Sequence, residues 1–289
     1  MARHPFGVLK RTVTSTVGGS AANVCEMATP RSLIVTVYGL YARESGGALP
    51  VAGLIRLMAA LGVDEPAVRS AVSRLKRRGL VAPARVGDSA GYALTDWGRA
   101  LLEEGDRRIF GRLDSTVSDG WVLCVFSVPE SQRTKRHTLR AKLTWLGFGV
   151  ATSGVWIAPA HVAGAAAETL ARHGLDGYVS LFRADHLGTA PLADEVARWW
   201  DLKALHRMYL DWITVHGERP DTLDTEPAEA FGRWVRAVND WRRLPYLDPG
   251  LPISLLPPDW PATRATAVFD ELGRRLGEPA ARHVEAVLG

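Results

Sequence analysis

Cysteine is scarce: the 289 residues carry two, Cys25 and Cys124, far apart and outside any Cys-x-x-Cys spacing. That excludes a disulfide framework and a zinc ribbon, and it fits a reducing, cytoplasmic setting. Long apolar runs are missing as well. No stretch approaches the roughly 18 consecutive apolar residues of a membrane span, so no membrane partner is expected. The first 28 residues lack the apolar centre of a signal peptide and read as a disordered leader over 1–28, with Met1 and Met27 both open as the start. The eight histidines form no His-x-x-x-His or His-Glu-x-x-His pair. His161, His173 and His186 are therefore expected at helix ends and loops, and neither a metal nor a cofactor is expected.

Acidic residues are absent from one stretch in particular. The net charge is only +4 (35 − 31), yet Pro66 to Arg85 carries Arg69, Arg74, Lys76, Arg77, Arg78 and Arg85 with no acid among them. Gly62 ends a preceding helix, Asp64 is a candidate N-cap, Pro66 suits a first helical turn, and Gly79 closes the segment. At about 100° per residue, Val68, Ala71, Val72 and Leu75 share one face. Ser70, Ser73 and Arg77 fall opposite, flanked by Arg69 and Arg74. The free face is small at one end and cationic at the other, which suits a helix in a DNA major groove. A solvated surface helix would have the same composition, so the neighbouring elements have to decide.

Apolar spacing predicts helices over 32–44 and 51–61 before this segment, giving the helix, helix, turn, basic helix order of a helix-turn-helix. A strand over 80–86, a turn over 87–91 and a returning strand over 92–94 then form a hairpin that reads as a wing. Thr95 caps a fourth helix whose apolar face is expected to be Trp97, Leu101, Leu102 and Ile109. From Trp121 the pattern changes to strand, helix, two strands, helix, strand, the ferredoxin-like order. Helices follow over 192–216, with a break near Asp201, and over 228–241. A proline-rich ordered connector (245–261) leads to helices over 263–276 and 279–288. The fold class expected is α+β, with a winged helix-turn-helix over 29–112, a ferredoxin-like domain over 119–190 and a helical C-terminal domain over 191–289. Among ten tryptophans, Trp199, Trp200, Trp212, Trp234 and Trp241 stand at helical spacings that mean core or a dimer interface.

Gly87-Asp88-Ser89-Ala90-Gly91 matches the Gly-x-Ser-x-Gly elbow of serine hydrolases. That elbow needs a helix after it, and here a strand follows, so the residues read as a wing tip and no catalytic residue is assigned.

The chain from about residue 30 resembles the PaaX family of bacterial transcriptional repressors. The resemblance rests on Arg31-Ser32-Leu33-Ile34, Tyr38-Gly39, Val68 to Leu75 with Gly79-Leu80, and Tyr92 to Thr95. It continues through Leu146-Gly147-Phe148-Gly149, Gly154 to Pro159, Asp248 to Pro252, Leu255-Leu256-Pro257 and Trp260-Pro261. It implies a repressor that binds palindromic double-stranded operator DNA as a homodimer and releases it on binding a small-molecule effector, phenylacetyl-CoA or another aromatic acyl-CoA. Arg69, Ser70 and Ser73 would then approach base edges, Arg74 and Arg77 base edges or phosphates, and Arg85 the backbone or minor groove. Tryptophans could wall an effector pocket, with arginines such as Arg140 or Arg207 on the phosphates, but the pocket is not assigned. The resemblance also likens the middle domain to the small endonuclease of CRISPR adaptation. Ser127 stands where that enzyme has a metal-binding aspartate, and Glu130 is the one nearby carboxylate. A serine hydroxyl is a poor magnesium ligand without carboxylate neighbours, so a nuclease is the lesser reading, beside a module that docks another protein.

Overall fold

The computed structural model describes residues 28–43, 46–111, 116–188, 190–217 and 225–289. The expected leader, the choice between Met1 and Met27, and Cys25 lie outside them, Ala28 apart. The fold is α+β, with two antiparallel sheets and a helical C-terminal part.

The chain opens with α1 (Pro30–Val37), which continues as a π-helical turn over Tyr38–Ala42. Thr29 caps α1 by accepting from the Ser32 amide at 3.2 Å. Then come β1 (Ala48–Pro50), α2 (Val51–Ala60) and α3 (Glu65–Arg77). They are followed by β2 (Val81–Val86), β3 (Ser89–Leu94) and α4 (Asp96–Ile109). The three strands pair in the order β1-β3-β2. β1 is not predicted from the sequence, because three residues carry too little alternation to stand out beside a glycine pair.

The hairpin turn is tighter than the sequence suggests. It holds only Gly87 and Asp88, and the returning strand begins at Ser89, paired with Val86. Gly87 at φ +57° permits so short a turn. Gly91 is a mid-strand residue: a Cβ there would lie 2.6 Å from the Leu49 carbonyl oxygen, so its smallness lets β1 close on β3. Pro83 is tolerated because β2 is an edge strand.

The expected apolar face of α4 needs correction. Trp97 and Leu101 are exposed (52% and 38%), while Gly98 and Gly105 are buried and Leu102 and Ile109 half-buried. Two of the four inward positions are glycines, so a search for apolar spacing selects the wrong side. Gly98 is held against β2: a Cβ would stand 2.3 Å from the Leu80 carbonyl oxygen. Thr95 fixes the same junction, its amide donating to the Leu80 carbonyl (3.1 Å) and its Oγ1 accepting from the Gly98 amide (3.0 Å).

The middle sheet is formed by β4 (Trp121–Phe126), β5 (Gly149–Thr152), β6 (Val155–Pro159) and β7 (Val179–Ala184). Its order is β5-β6-β4-β7 and all its pairs are antiparallel. α5 (Arg133–Trp145) follows β4, and α6 (Ala163–Arg172) follows β6. Leu139, Leu143 and Leu170 pack with Val122, Cys124, Trp156 and Ala158 in a core of their own. Burial there pushes the Cys124 thiol up to about 11.

The remaining helices are α7 (Leu192–Trp199), α8 (Leu202–His216), α9 (Pro227–Trp241), the short α10 (Leu244–Leu247) and α11 (Ala262–Leu288). The break before α8 is where the sequence puts it, with Asp201 accepting from the Ala204 amide at 2.9 Å. The expected break before Pro279 does not occur. Proline removes one helical hydrogen bond there. The helix runs on because Leu276, Ala280 and Val284, spaced by four, are all buried on the same core. Trp212, Trp234, Trp241 and Phe269 fill that core, with the Trp241 and Phe269 rings stacked at 4.7 Å. It is continuous with the core of α1, α2 and α3.

Two glycines give opposite expectations. Gly98→Ala should destabilise the fold by about 1–3 kcal/mol, as overpacking against a backbone atom does. Gly277→Ala, where nothing lies within 4 Å of the new methyl, should stabilise α11 by roughly 0.5–1 kcal/mol. Urea denaturation of the two variants beside the parent checks both signs.

Candidate nucleic-acid interface

The geometry of α3 follows from its two ends and one face. Gly62 at φ +74° turns the chain after α2. Asp64 then accepts from the Ala67 amide at 2.8 Å, and Glu65 and Pro66 occupy the first turn. Val68, Ala71, Val72 and Leu75 are all buried, packed towards α1 and α2. The opposite face, with Arg69, Ser70, Ser73, Arg74 and Arg77, is exposed along its length, and so are Lys76 and Arg78. Of the residues picked from the sequence, five thus share one open helix face. The sixth, Arg85, is exposed on β2 at the hairpin that follows, where it donates to the Asp88 carbonyl at 3.0 Å.

The local partners of these arginines are weak. Arg69 pairs with Glu65 one turn away at 2.6 Å, with both side chains more than half exposed. Such an i,i+4 pair is worth only about 0.3–0.5 kcal/mol. Arg74 donates to the Ser70 hydroxyl at 2.8 Å. Beyond Glu65 and Asp64, at the first turn, the exposed face of α3 carries no acid.

Sequence spacing misses Arg31, in the first turn of α1. Its guanidinium pKa is lowered by partial burial and then by the charges of Arg78 and Arg74. The positive field of α3 therefore extends onto α1. No periodicity could link positions 31 and 78; they come within electrostatic range only when α1 packs on α3.

The π-helical turn ties this unit to β3 and α4. The Tyr38 hydroxyl donates to the Tyr92 carbonyl at 2.9 Å from a buried position that raises its pKa well above the ordinary range. Arg43 forms an ion pair with Asp106 of α4.

Other residues considered from the sequence lie elsewhere. Ser89 is exposed on the hairpin with a strand on either side, not a helix after it. The Ser127 amide donates to the Tyr178 carbonyl at 3.1 Å, and Glu130 is held by Arg136 at 2.7 Å. Among the described residues no three His, Cys, Asp or Glu side chains gather as a metal site. His161 sits in a 3₁₀ turn, His173 caps α6, and His186 follows β7. Arg140 lies over the Trp156 ring at 5.9 Å. Neither Arg140 nor Arg207 lines the cleft of about 350 Å³ formed by Arg233, Arg264, Val268 and Glu271, nor the one of about 390 Å³ formed by Glu103, Glu104, Glu168 and Arg172.

Comparison with known proteins agrees with this architecture. Residues 29–98 match the PaaX-like protein family, 114–196 the PaaX protein central Cas2-like domain, and 200–286 the PaaX-like protein C-terminal domain. The transcriptional repressor PaaX of Escherichia coli (strain K12) is 28% identical over 264 residues, which cover 86% of this chain and 81% of the repressor. Among solved structures, an uncharacterized protein from Mycobacterium tuberculosis shares the fold, with a TM-score of 0.59 at 20% identity over 93% of this chain and 98% of that one. With matches to all three PaaX components in order along its length, the chain belongs to the PaaX family.

Proposed function

We propose that this chain is a ligand-responsive transcriptional repressor that binds palindromic operator DNA as a homodimer. The observation that carries the reading is the open face of α3, small and hydroxylated in its middle and cationic towards its end, beside a hairpin that presents Arg85. In this reading residues 29–112 are a winged helix-turn-helix with α3 in the major groove and the β2-β3 hairpin as the wing. Arg69, Ser70 and Ser73 approach base edges, Arg74 and Arg77 reach bases or phosphates, and Arg85 touches the backbone or minor groove. Residues 119–190 form a ferredoxin-like domain, a reading supported by the β5-β6-β4-β7 order, and 191–289 serve effector binding and dimerisation. The effector is an aromatic acyl-CoA such as phenylacetyl-CoA. The setting is cytoplasmic; no described helix is long and apolar enough to cross a membrane.

A nuclease reading of the middle domain has less support, because Glu130 is engaged by Arg136 and Ser127 offers no carboxylate. With magnesium or manganese present, the purified protein should leave duplex DNA uncut; cleavage lost in Glu130→Ala would reverse that assignment. A module that docks another protein through α3 would bind no DNA in a salt-dependent way.

The DNA-binding reading is tested on a fragment selected from genomic DNA by the purified protein. Arg69→Ala and Arg77→Ala should each cost roughly 1–3 kcal/mol if the contact is bidentate to a base, with specificity relaxed at one position. Arg85→Ala should weaken all sequences alike and flatten the salt slope by about 0.9. If the Arg69→Ala, Arg77→Ala double variant binds the fragment as the parent does, α3 is not the recognition element. Repeating the selection with a panel of acyl-CoA esters checks the effector: phenylacetyl-CoA or a close relative should empty the filter of bound fragments.

A further inference from the structure

The turn that hands the chain from α2 to α3 is held by a residue from the C-terminal helices. Leu61, at the end of α2, and Gly62 share one planar peptide unit, and both of its polar groups are engaged. The Gly62 amide donates back to the Ala59 carbonyl at 2.9 Å. The Leu61 carbonyl accepts from the Nη2 of Arg236, on α9, at 3.0 Å. Gly62 then turns the chain at φ +74°, and the Val63 amide donates to the Met58 carbonyl at 3.0 Å. Asp64, the cap of α3, comes next. Only Gly62 and Val63 therefore stand between the carbonyl that Arg236 holds and the residue that starts the basic helix.

Arg236 is aimed by α9 itself. Its Nη1 donates to the Gly232 carbonyl, one turn back, at 3.3 Å, so the planar guanidinium spans a carbonyl of its own helix and the last carbonyl of α2. Gly232 is buried, and a Cβ there would stand 3.2 Å from that Nη1 and 3.7 Å from the Ala60 carbonyl oxygen. The bare backbone thus lets α9 come close to the end of α2 and leaves room for the guanidinium. The last carbonyls of a helix have no partner within it and carry partial negative charge, which makes a cation the favourable cap. The same arrangement recurs in the opposite direction. Arg56 of α2 donates to the Val287 carbonyl in the last turn of α11, and a Cβ at Gly53 would stand 2.4 Å from a Leu288 methyl. Arg56 and Arg236 are both exposed, so neither bond adds much buried area. What the Arg236 bond fixes is the orientation of one peptide plane.

We propose that Arg236 is a positioning residue for DNA recognition: by holding the Leu61–Gly62 peptide it sets the angle at which α3 is presented, and it ties the reading of bases to the C-terminal helical part. This rests on the DNA-binding reading above and extends it to a residue outside 29–112. In this role Arg236 touches no DNA. Bidentate contacts to base edges are directional and are lost when the helix tilts, whereas contacts to phosphate fix position without reading sequence and tolerate more adjustment. Release of the turn therefore lowers specific binding and spares non-specific binding.

The test uses the full chain, with the selected genomic fragment and a mixed-sequence duplex of equal length as probes. Arg236→Gln should lower affinity for the selected fragment about three- to tenfold, the effect of losing one charge-assisted hydrogen bond at an exposed site. Affinity for the mixed-sequence duplex and the slope of log affinity against log salt should stay as in the parent, because no phosphate contact is removed. Arg236→Lys, which keeps a cationic donor, should recover most of the lost affinity. Hydrogen exchange of the DNA-free protein, followed at the Gly62 and Val63 amides, should be faster in Arg236→Gln than in the parent. An unchanged ratio of the two affinities in Arg236→Gln overturns the inference. Equal weakening of both probes overturns it too, since Arg236 is then a phosphate contact if the salt slope falls and a general structural residue if it does not. Arg77→Ala separates the two levels. If it weakens binding while Arg236→Gln does not, the DNA reading stands and this extension falls; if neither alters binding and there is no salt dependence, both fall.

Discussion

The burial of α1 between α3 and α9 is the constraint on which the rest depends. Ser32, Leu33, Ile34, Thr36 and Val37 are all buried, so this helix has almost no free face over its first two turns. α3 can present its arginines outward only because Val68, Ala71, Val72 and Leu75 have α1 and α2 to pack against. α9 closes the opposite side, with Arg236 donating to the Leu61 carbonyl at 3.0 Å and Tyr41 and Phe231 in ring contact at 5.8 Å. The basic helix and the C-terminal helices are therefore separated by the thickness of one helix. A shift of α9 by more than side-chain adjustment would have to be taken up by α1, because a close-packed interior does not absorb it.

What could be read from the sequence follows from how each element is stabilised. α3 was legible because its apolar and polar faces are cleanly divided and its ends carry Asp64, Pro66 and Gly79. The middle strands were legible for the same kind of reason: Val122 to Phe126 is a continuous apolar run, and Ser153-Gly154 marks the turn between β5 and β6. The inward face of α4 is not legible in the sequence because close backbone approach replaces side-chain packing at Gly98, and a glycine carries no apolar signal. The continuity of α11 through Pro279 is not legible locally, because proline disfavours a helix there and the buried row of Leu276, Ala280 and Val284 that carries the helix through it is a property of the packed core. Arg31 is not legible as part of the positive field of α3 because the helix packing that brings it within range of Arg74 and Arg78 is tertiary.

The residues on which the family resemblance rests divide into two kinds. Those in α3 lie on the exposed face or directly beneath it. Among the rest are junction residues. Gly147 at φ +86° lies against Pro249, where a Cβ would stand 3.0 Å from the proline ring, and Gly149 lies under the Trp200 indole. Trp200 donates to the Gly147 carbonyl at 2.9 Å. Burial among the surrounding side chains pushes the Asp248 carboxyl pKa up, while hydrogen bonds from the Tyr209 hydroxyl (2.7 Å) and the Gly250 amide (2.9 Å) pull the other way. These contacts join the middle sheet to the C-terminal helices, so a sequence motif there reports how the parts are held together.

The same distinction explains why the cationic face of α3 can be both ordered and available. Its two intrahelical partners, Glu65 for Arg69 and Ser70 for Arg74, hold the guanidiniums extended along the helix without desolvating them. An exposed pair of this kind contributes a few tenths of a kcal/mol, whereas a charge-assisted contact to phosphate or a bidentate contact to guanine is worth several times more. In the proposed reading, exchange of one partner for the other would be favourable in the presence of DNA and nearly neutral in its absence. Stability is carried instead by the buried face, where Val68, Ala71, Val72 and Leu75 pack in the core. Because the two tasks fall on opposite sides of one helix, the outer side can change its contacts without loss of the fold that aims it.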